Sequence, residues 1–153
     1  MSSEPIIKRV EGTAADACEL IAAFAVDSGI QLDWPTRAAL PGLLERHGAI
    51  IYLAHLDGVP VGVIVCQLAL VTFQGGDALN VHDLFVNDDA RGHGVGRRLL
   101  ERAIAHARSL GCVRVTLEVG ATNSTARSLY SSCGFDLPEA GHDATHFLRL
   151  PLD

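Results

Sequence analysis

The sequence predicts one domain, residues 1–153, of mixed α/β class: a mostly antiparallel central sheet of six to seven strands flanked by about four helices. Two observations support this. Of the 153 residues, 48% are hydrophobic and 20% are charged, which is enough apolar material for one core. Antiparallel strands dominate the first half of the pattern, whereas strands and helices alternate after residue 86, which is typical of a sheet covered by helices.

The first half of the chain contains two candidate helices and a strand meander. The predicted elements are a strand over 6–10, helices over 14–27 and 35–46, and strands over 49–55, 61–72 and 79–86. Thr13 is a candidate N-cap for the first helix, which Ser28-Gly29 would end. Asp57-Gly58 is a typical hairpin turn.

In the second half of the chain, helices and strands alternate. The predicted elements are a helix over 94–110, a strand over 112–119, a helix over 123–132, and a last pair of strands at Phe135 and over 145–150. The helix over 94–110 has an apolar face and an arginine-rich face, with Gly111 at the position of a C-terminal cap. Asn123 is a candidate N-cap, and Gly134 follows the end of its helix.

Charge and cysteine content narrow the possible partners and location. Twelve Lys and Arg against eighteen Asp and Glu give a net charge of −6, which argues against nucleic-acid binding. The first residues lack the apolar core of a signal peptide, and the apolar run over 61–71 is too short for a membrane span. The cysteines form no metal-binding spacing and indicate reduced thiols. We therefore expect a cytoplasmic protein with no membrane, nucleic-acid or metal partner.

A glycine-rich segment joins the strand ending in Leu84, Phe85 and Val86 to the long helix. It consists of Arg91, Gly92, His93, Gly94, Val95, Gly96 and Arg97. Glycines let the backbone approach a ligand, and the helix N-terminus adds orphan N–H donors and partial positive charge, so the segment suits a phosphate group. A dinucleotide fingerprint would need GxGxxG, a nucleotide P-loop would need a following GK[ST], and a glycine turn without a ligand is the structural alternative.

A second motif follows one strand later. Its members are Asn123, Ala126, Leu129, Tyr130, Gly134 and Phe135, in the pattern NxxAxxLYxxxGF. Together with RxxGxG after a strand that ends in Val, this motif resembles the GNAT superfamily of acetyl-CoA-dependent N-acetyltransferases. The specific likeness covers residues 79–135, and the order of elements fits over the rest.

The resemblance implies a fold and a cofactor site. The strand holding Leu84, Phe85 and Val86 would splay from the strand over 116–119, and their backbone would pair with the pantetheine arm of acetyl-CoA. The amides of residues 92–97 would hold the pyrophosphate, and Asn123 would contact the cofactor, although an N-cap role alone explains an Asn there. The likeness and the apolar segment over 147–152 also suggest a homodimer.

The resemblance further implies direct acetyl transfer from acetyl-CoA to an amine acceptor, with no protein nucleophile. A small-molecule primary amine is the expected acceptor; the alternatives are a protein N-terminus or lysine, or a non-catalytic acyl-CoA sensor. Tyr130 matches the general acid, which must be protonated at neutral pH, and its alternative role is packing. A backbone N–H at a strand bulge near residues 84–86 would bind the thioester oxygen as it becomes negative.

The general base is left open among three residues. His82 stands where diamine acetyltransferases of the family carry Glu, and Asp83 stands where similar aminoglycoside acetyltransferases carry Asp. Imidazole titrates near neutral pH, so His82 is a direct candidate. Glu118 on the neighbouring strand is the third, and structural hydrogen bonds are the alternative for His82 and Asp83. The segment over 27–34 matches the acceptor wall, where Asp33 and Trp34 would either bind a cationic amine or only close the loop.

Overall fold

The computed structural model describes residues 3–138 and 145–152. In chain order the elements are β1 (Ile6–Val10), α1 (Ala15–Asp27), α2 (Trp34–Arg46), β2 (Ile50–Leu56), β3 (Val59–Val71), β4 (Gly76–Val86), α3 (Val95–Ser109), β5 (Arg114–Gly120), α4 (Ser124–Ser132) and β6 (Thr145–Pro151). Short 3₁₀ turns precede β4 and follow it. None of the helices in these described ranges combines the length and the apolar composition that a membrane span needs.

The six strands form one sheet in the order β1-β2-β3-β4-β5-β6. Each pair of neighbours is antiparallel except β4 and β5, which are parallel because α3 connects them. The predicted mixed, mostly antiparallel sheet with about four flanking helices is therefore confirmed.

The strands β4 and β5 are paired over only part of their length. Their register runs from Ala78 opposite Arg114 to Val81 opposite Leu117 and then stops. Residues 82–86 of β4 and 118–120 of β5 lie beyond this last pair, where the two strands diverge. We call this point the fork. It gives the splayed strand pair that the family resemblance implies.

A β-bulge lies at the fork. Val65 of β3 is opposite Asp83, whereas the next residue, Cys66, is opposite Val81, so His82 is the extra residue on β4. The bulge therefore lies at His82 and not near residues 84–86, where it was expected. It changes which face of the sheet each later side chain joins. Leu84 packs with the α3 side of the core, and Phe85 packs with the α1 side.

Two apolar clusters hold the layers together. The larger one lies between the sheet and the helices α3 and α4, and the smaller one lies between the sheet and α1. The apolar face of α3 is fully buried, as its spacing predicts. Gly62 on β3 allows this close packing, because a Cβ there would lie 3.0 Å from a Val95 methyl group.

Two local predictions are wrong and one is confirmed. The N-cap of α1 is Ala14, with no side-chain hydrogen bond, so Thr13 does not cap it. Phe135 is not in a strand; its N–H bonds to the Tyr130 carbonyl at the end of α4 and its side chain is buried, which keeps it out of the sheet. Asn123 does cap α4, since its Oδ1 accepts the Ala126 N–H at 3.2 Å.

Candidate active site

A cleft of about 530 Å³ lies where the end of β4, the start of α3 and the start of α4 meet, with the end of α1 on one side. Its walls are formed by backbone groups of the glycine-rich segment and by apolar side chains. The lining residues are Phe24, Asp27, Ser28, Leu84, Phe85, Val86, Ala90, Arg91, Gly92, Gly94, Val95, Gly96, Arg97, Asn123, Thr125, Ala126, Leu129 and Tyr130. The two sequence motifs, which are a strand apart along the chain, therefore meet in one cavity.

The glycine-rich segment presents backbone donors to this cleft. Gly94 has a φ of 75°, the left-handed conformation that favours glycine, and it is the N-cap of α3. The first hydrogen bond that enters the helix is donated by the Arg98 N–H to the Gly94 carbonyl, at 3.1 Å. The N–H groups of residues 95–97 precede that bond and have no intrahelical acceptor. Together with the helix dipole, they make an anion site suited to a phosphate group.

The two arginines of the segment are tied to neighbouring side chains. Arg91 lies 3.0 Å from the Asp88 carboxylate in an exposed pair. The Arg97 guanidinium donates to Glu101 at 2.9 Å and to the Ser132 hydroxyl at 2.6 Å, so it joins α3 to the end of α4. Backbone amides are therefore the pre-positioned donors of the loop. His93 is exposed and is not among the residues that line the cleft.

The open edge of β4 forms the second part of the cleft. Leu84, Phe85 and Val86 pair with β3 on one side only, and past the fork no strand in the described ranges pairs with their other side. Alternate N–H and C=O groups on that side are available to an extended ligand, which would bind as an added strand does.

Tyr130 and Asn123 come from α4. Tyr130 is 8% exposed, and its ring lies edge-to-face against Phe135 with centroids 6.1 Å apart. Burial raises the pKa of the Tyr130 phenol above its ordinary value of 10.0, so the hydroxyl is protonated at neutral pH. The Asn123 side chain uses one oxygen as the N-cap of α4, and the residue also lines the cleft.

The three candidate bases lie at the fork and not in the cleft wall. His82 and Glu118 are exposed and each is the first residue after the last β4–β5 pair. The Leu84 side chain lies on the α3 side of the sheet, and adjacent strand residues face opposite sides. Asp83 therefore lies on the α1 side. Burial raises the pKa of Asp83, and the charge of His82 opposes part of that rise. His82 and Asp83 are thus neighbours in β4, and Glu118 has the corresponding place in β5, just past the last pair of the two strands.

The predicted acceptor residues lie apart from the cleft lining. Asp33 caps α2, since its Oδ1 accepts the Thr36 N–H at 2.8 Å, and this bond lowers the pKa of its carboxyl. Trp34 is 78% exposed. From the same segment, Asp27 and Ser28 at the end of α1 do line the cleft.

Sequence reasoning also missed Phe24 and Thr125 as lining residues. Phe24 has the spacing of a core residue, and its ring does pack against Phe85 with centroids 5.4 Å apart. Only the tertiary position of α1 brings this ring to the cleft. Among the described residues, no three His, Cys, Asp or Glu side chains come together as a metal site would require. Burial raises the pKa of the Cys66 thiol to about 12, which is typical of an inert core cysteine.

The sequence is similar to those of several N-acetyltransferases. The chain is 34% identical over 100 residues to an uncharacterised N-acetyltransferase of Archaeoglobus fulgidus, covering 65% of this chain and 68% of that protein. It is 31% identical over 98 residues to another from Methanocaldococcus jannaschii, covering 63% of this chain but only 43% of that protein. Over 156 residues it is 26% identical to aminoglycoside N(6')-acetyltransferase type 1 of Stenotrophomonas maltophilia, covering 100% and 97%.

The fold is shared with solved structures. A Salmonella typhimurium acetyltransferase structure that contains its cofactor acetyl-CoA superposes with a TM-score of 0.74 at 20% identity, covering 97% of this chain and 94% of that one. Residues 16–135 match the model of the acetyltransferase (GNAT) family, and this range includes the glycine-rich segment, the fork and α4. The match spans well over half of the sequence, so the chain belongs to the GNAT family of acetyltransferases.

Proposed function

We propose that the protein transfers an acetyl group from acetyl-CoA directly to a primary amine of a small molecule. The observation that carries this proposal is one cleft that holds an anion site at the start of α3, an unpaired edge of β4 and the buried phenol of Tyr130. These are the three features that a phosphate-bearing thioester donor needs.

The donor fits the cleft on structural grounds. The N–H groups of residues 95–97 would hold the pyrophosphate, and the open edge of β4 would pair with the amide-bearing pantetheine arm. Gly96 supports this fit, because its missing Cβ would lie between Leu129 and Val86, which both line the cleft. The similar fold of the Salmonella typhimurium acetyltransferase with its acetyl-CoA agrees with this donor.

Tyr130 is the proposed general acid. As the neutral amine attacks, a C–N bond forms and the C–S bond breaks, so the sulfur leaves with an electron pair and needs a proton. The Tyr130 hydroxyl is protonated at neutral pH because burial raises its pKa, and it lies in the wall of the cleft. Backbone N–H groups along the open edge of β4 would stabilise the negative thioester oxygen.

His82 is the proposed base that removes the proton from the amine nitrogen. It lies in the bulge at the fork, and its exposed imidazole can accept a proton. Asp83 beside it is partly buried, and Glu118 starts the diverging end of β5. These two carboxylates are the alternatives, with transfer through water as a third route.

The electrostatics of the cleft support a small cationic acceptor. Asp27 lines it at the C-terminal end of α1, a helix whose last turn has no basic residue, so the helix dipole and the carboxylate both favour a cation there. The likeness to the aminoglycoside enzyme extends over the whole chain and agrees with a small polyamine-like acceptor.

Thiol release from acetyl-CoA tests the proposal across a panel of amines. The panel includes a diamine, an aminoglycoside, free lysine and a peptide with a free N-terminus, beside a binding titration with acetyl-CoA. We expect acceptor-dependent thiol release with at least one small amine. Release only with the peptide would assign a protein acceptor instead. Tight binding of acetyl-CoA without release for any acceptor would indicate a sensor and overturn the proposal.

A further inference from the structure

A second cavity of about 510 Å³ lies at the other end of the parallel strand pair. It is lined by Gln74, Val113, Arg114, Asp136, Phe147, Arg149 and Pro151, and we call it the β5–β6 pocket. It has no lining residue in common with the active-site cleft. Arg114 begins β5, whereas the cleft lies beyond the fork near the end of that strand.

The sheet register places two arginines of this pocket on the same face of the sheet. Arg114 is opposite Pro151, and Arg149 is opposite Thr116, so the two arginines are diagonal neighbours across β5 and β6. Side chains two residues apart on a strand share a face. The same register makes Glu118 a diagonal neighbour of Arg149 on its other side, so the cationic pair is at the Arg114 end of this row.

The Arg114 guanidinium has an unmet donor. Its Nη2 donates to Gln74 Oε1 at 3.0 Å, which fixes the group at the pocket wall. Its Nε is buried and has no hydrogen-bond partner in the described structure. This atom is closed to solvent, so a ligand in the pocket would bind the terminal nitrogens of the Arg114 guanidinium, whose direction the Gln74 contact fixes.

The described carboxylates do not neutralise the pair. No ion pair within 4.0 Å joins Arg114 or Arg149 to an acid in residues 3–138 and 145–152. Asp136 lines the pocket but forms no ion pair within 4.0 Å with either guanidinium group. The pocket thus contains two guanidinium groups without an ion-pair partner among the described residues, in a chain whose net charge is −6.

We propose that the β5–β6 pocket binds an organic anion, with a carboxylate or phosphate group between Arg114 and Arg149 and an apolar part against Phe147. Guanidinium groups bind both kinds of anion through paired N–H donors. Phe147 is 57% exposed and lines the pocket beside Val113 and Pro151, so an apolar body has a surface to cover. This site is separate from the transferase cleft and does not depend on turnover.

Titration by ¹⁵N NMR at constant ionic strength tests the site, with phenyl phosphate, benzoate and inorganic phosphate as probes. We expect saturable shifts of the amide resonances of residues 113–116 and 147–150. Stronger binding of phenyl phosphate than of benzoate would assign a phosphate ligand, and the reverse order would assign a carboxylate. Signals from residues 92–97 report any phosphate bound at the active-site loop, so the two sites are read separately.

Three variants decide whether the arginines carry the binding. Arg149→Gln removes an exposed side chain and should weaken binding about tenfold or more, the loss expected for one charge-assisted bond. Asp136→Asn should strengthen binding, because it removes the negative charge from the wall. Arg108→Gln, an exposed arginine on α3, is the matched control and should leave binding unchanged.

The proposal is overturned if no probe shifts the resonances of the β5–β6 pocket saturably. It is also overturned if Arg149→Gln binds as well as the Arg108→Gln control. Neither outcome depends on acetyl-CoA or an amine acceptor, so failure here is distinct from failure of the proposed transferase function.

Discussion

Replacing Gly96 with alanine should affect stability and donor binding in opposite directions. Gly96 is the second residue of α3, and a Cβ there would lie 3.4 Å from Leu129 Cδ2 and 3.7 Å from Val86 Cγ2. These are ordinary van der Waals contacts, so the fold can accept the methyl group. The same methyl group would occupy the wall of the cleft beside the N–H groups proposed to hold the pyrophosphate.

The two effects can be estimated separately. Glycine is about 1 kcal/mol less favourable than alanine in a helix interior, and Gly96 lies in the first turn of α3, so Gly96→Ala should raise the unfolding temperature by at most about 2–4 °C in a chain of this size. Displacing one phosphate oxygen from a backbone donor removes a charge-assisted hydrogen bond worth about 1.5–3 kcal/mol. Acetyl-CoA should therefore bind roughly 10- to 100-fold more weakly.

Calorimetric titration with acetyl-CoA and thermal unfolding without ligand measure the two quantities. Gly42→Ala is the matched control, because Gly42 lies in α2 and a Cβ there would meet no atom within 4 Å. It should also gain stability, and it should keep the wild-type affinity. If Gly96→Ala binds acetyl-CoA as tightly as Gly42→Ala does, the loop does not hold the donor and the reasoning fails.

Three further predictions concern the proton-transfer groups. Tyr130→Phe should lower turnover about 10²- to 10⁴-fold while the Kd for acetyl-CoA stays nearly unchanged; wild-type turnover in single-turnover assays would remove Tyr130 as the acid. His82→Ala should flatten the rise in rate between about pH 6 and 8, and an unaltered pH–rate profile would move the base to Asp83, Glu118 or water. Asp83→Asn should stabilise the fold at neutral pH. The raised pKa of Asp83 means that its contribution to stability is complete below the ordinary value of 3.8 and is lost as pH rises through the folded-state pKa. Urea unfolding should show the two proteins converging in acid, and equal stability at neutral pH would count against a costly buried carboxylate.

The elements that the sequence predicted well are those fixed by local chemistry. The start of α4 follows from Asn123, whose side chain bonds to the Ala126 N–H, and the turn after α4 follows from Gly134 with a φ of 97°. The predicted strand at Phe135 is wrong because a single apolar residue after a glycine has no periodicity. Its burial against Tyr130 depends on the path of the chain around the helix end.

The bulge at His82 shows why the roles of the fork residues could not be assigned from sequence. Leu84, Phe85 and Val86 form a continuous apolar run, as expected for a strand that is covered on both faces, so their order does not reveal which face each joins. In an unbroken strand, Phe85 would share the face of Val81. The extra residue reverses this: Val81 packs with the α3 side, whereas Phe85 packs with the α1 side. Asp83 therefore lies on the α1 side. Because the bulge interrupts the regular alternation, the face of Asp83 does not indicate the face of His82. Only the register with β3 contains this information. Val65 and Cys66 are consecutive in β3, whereas their partners Asp83 and Val81 have His82 between them.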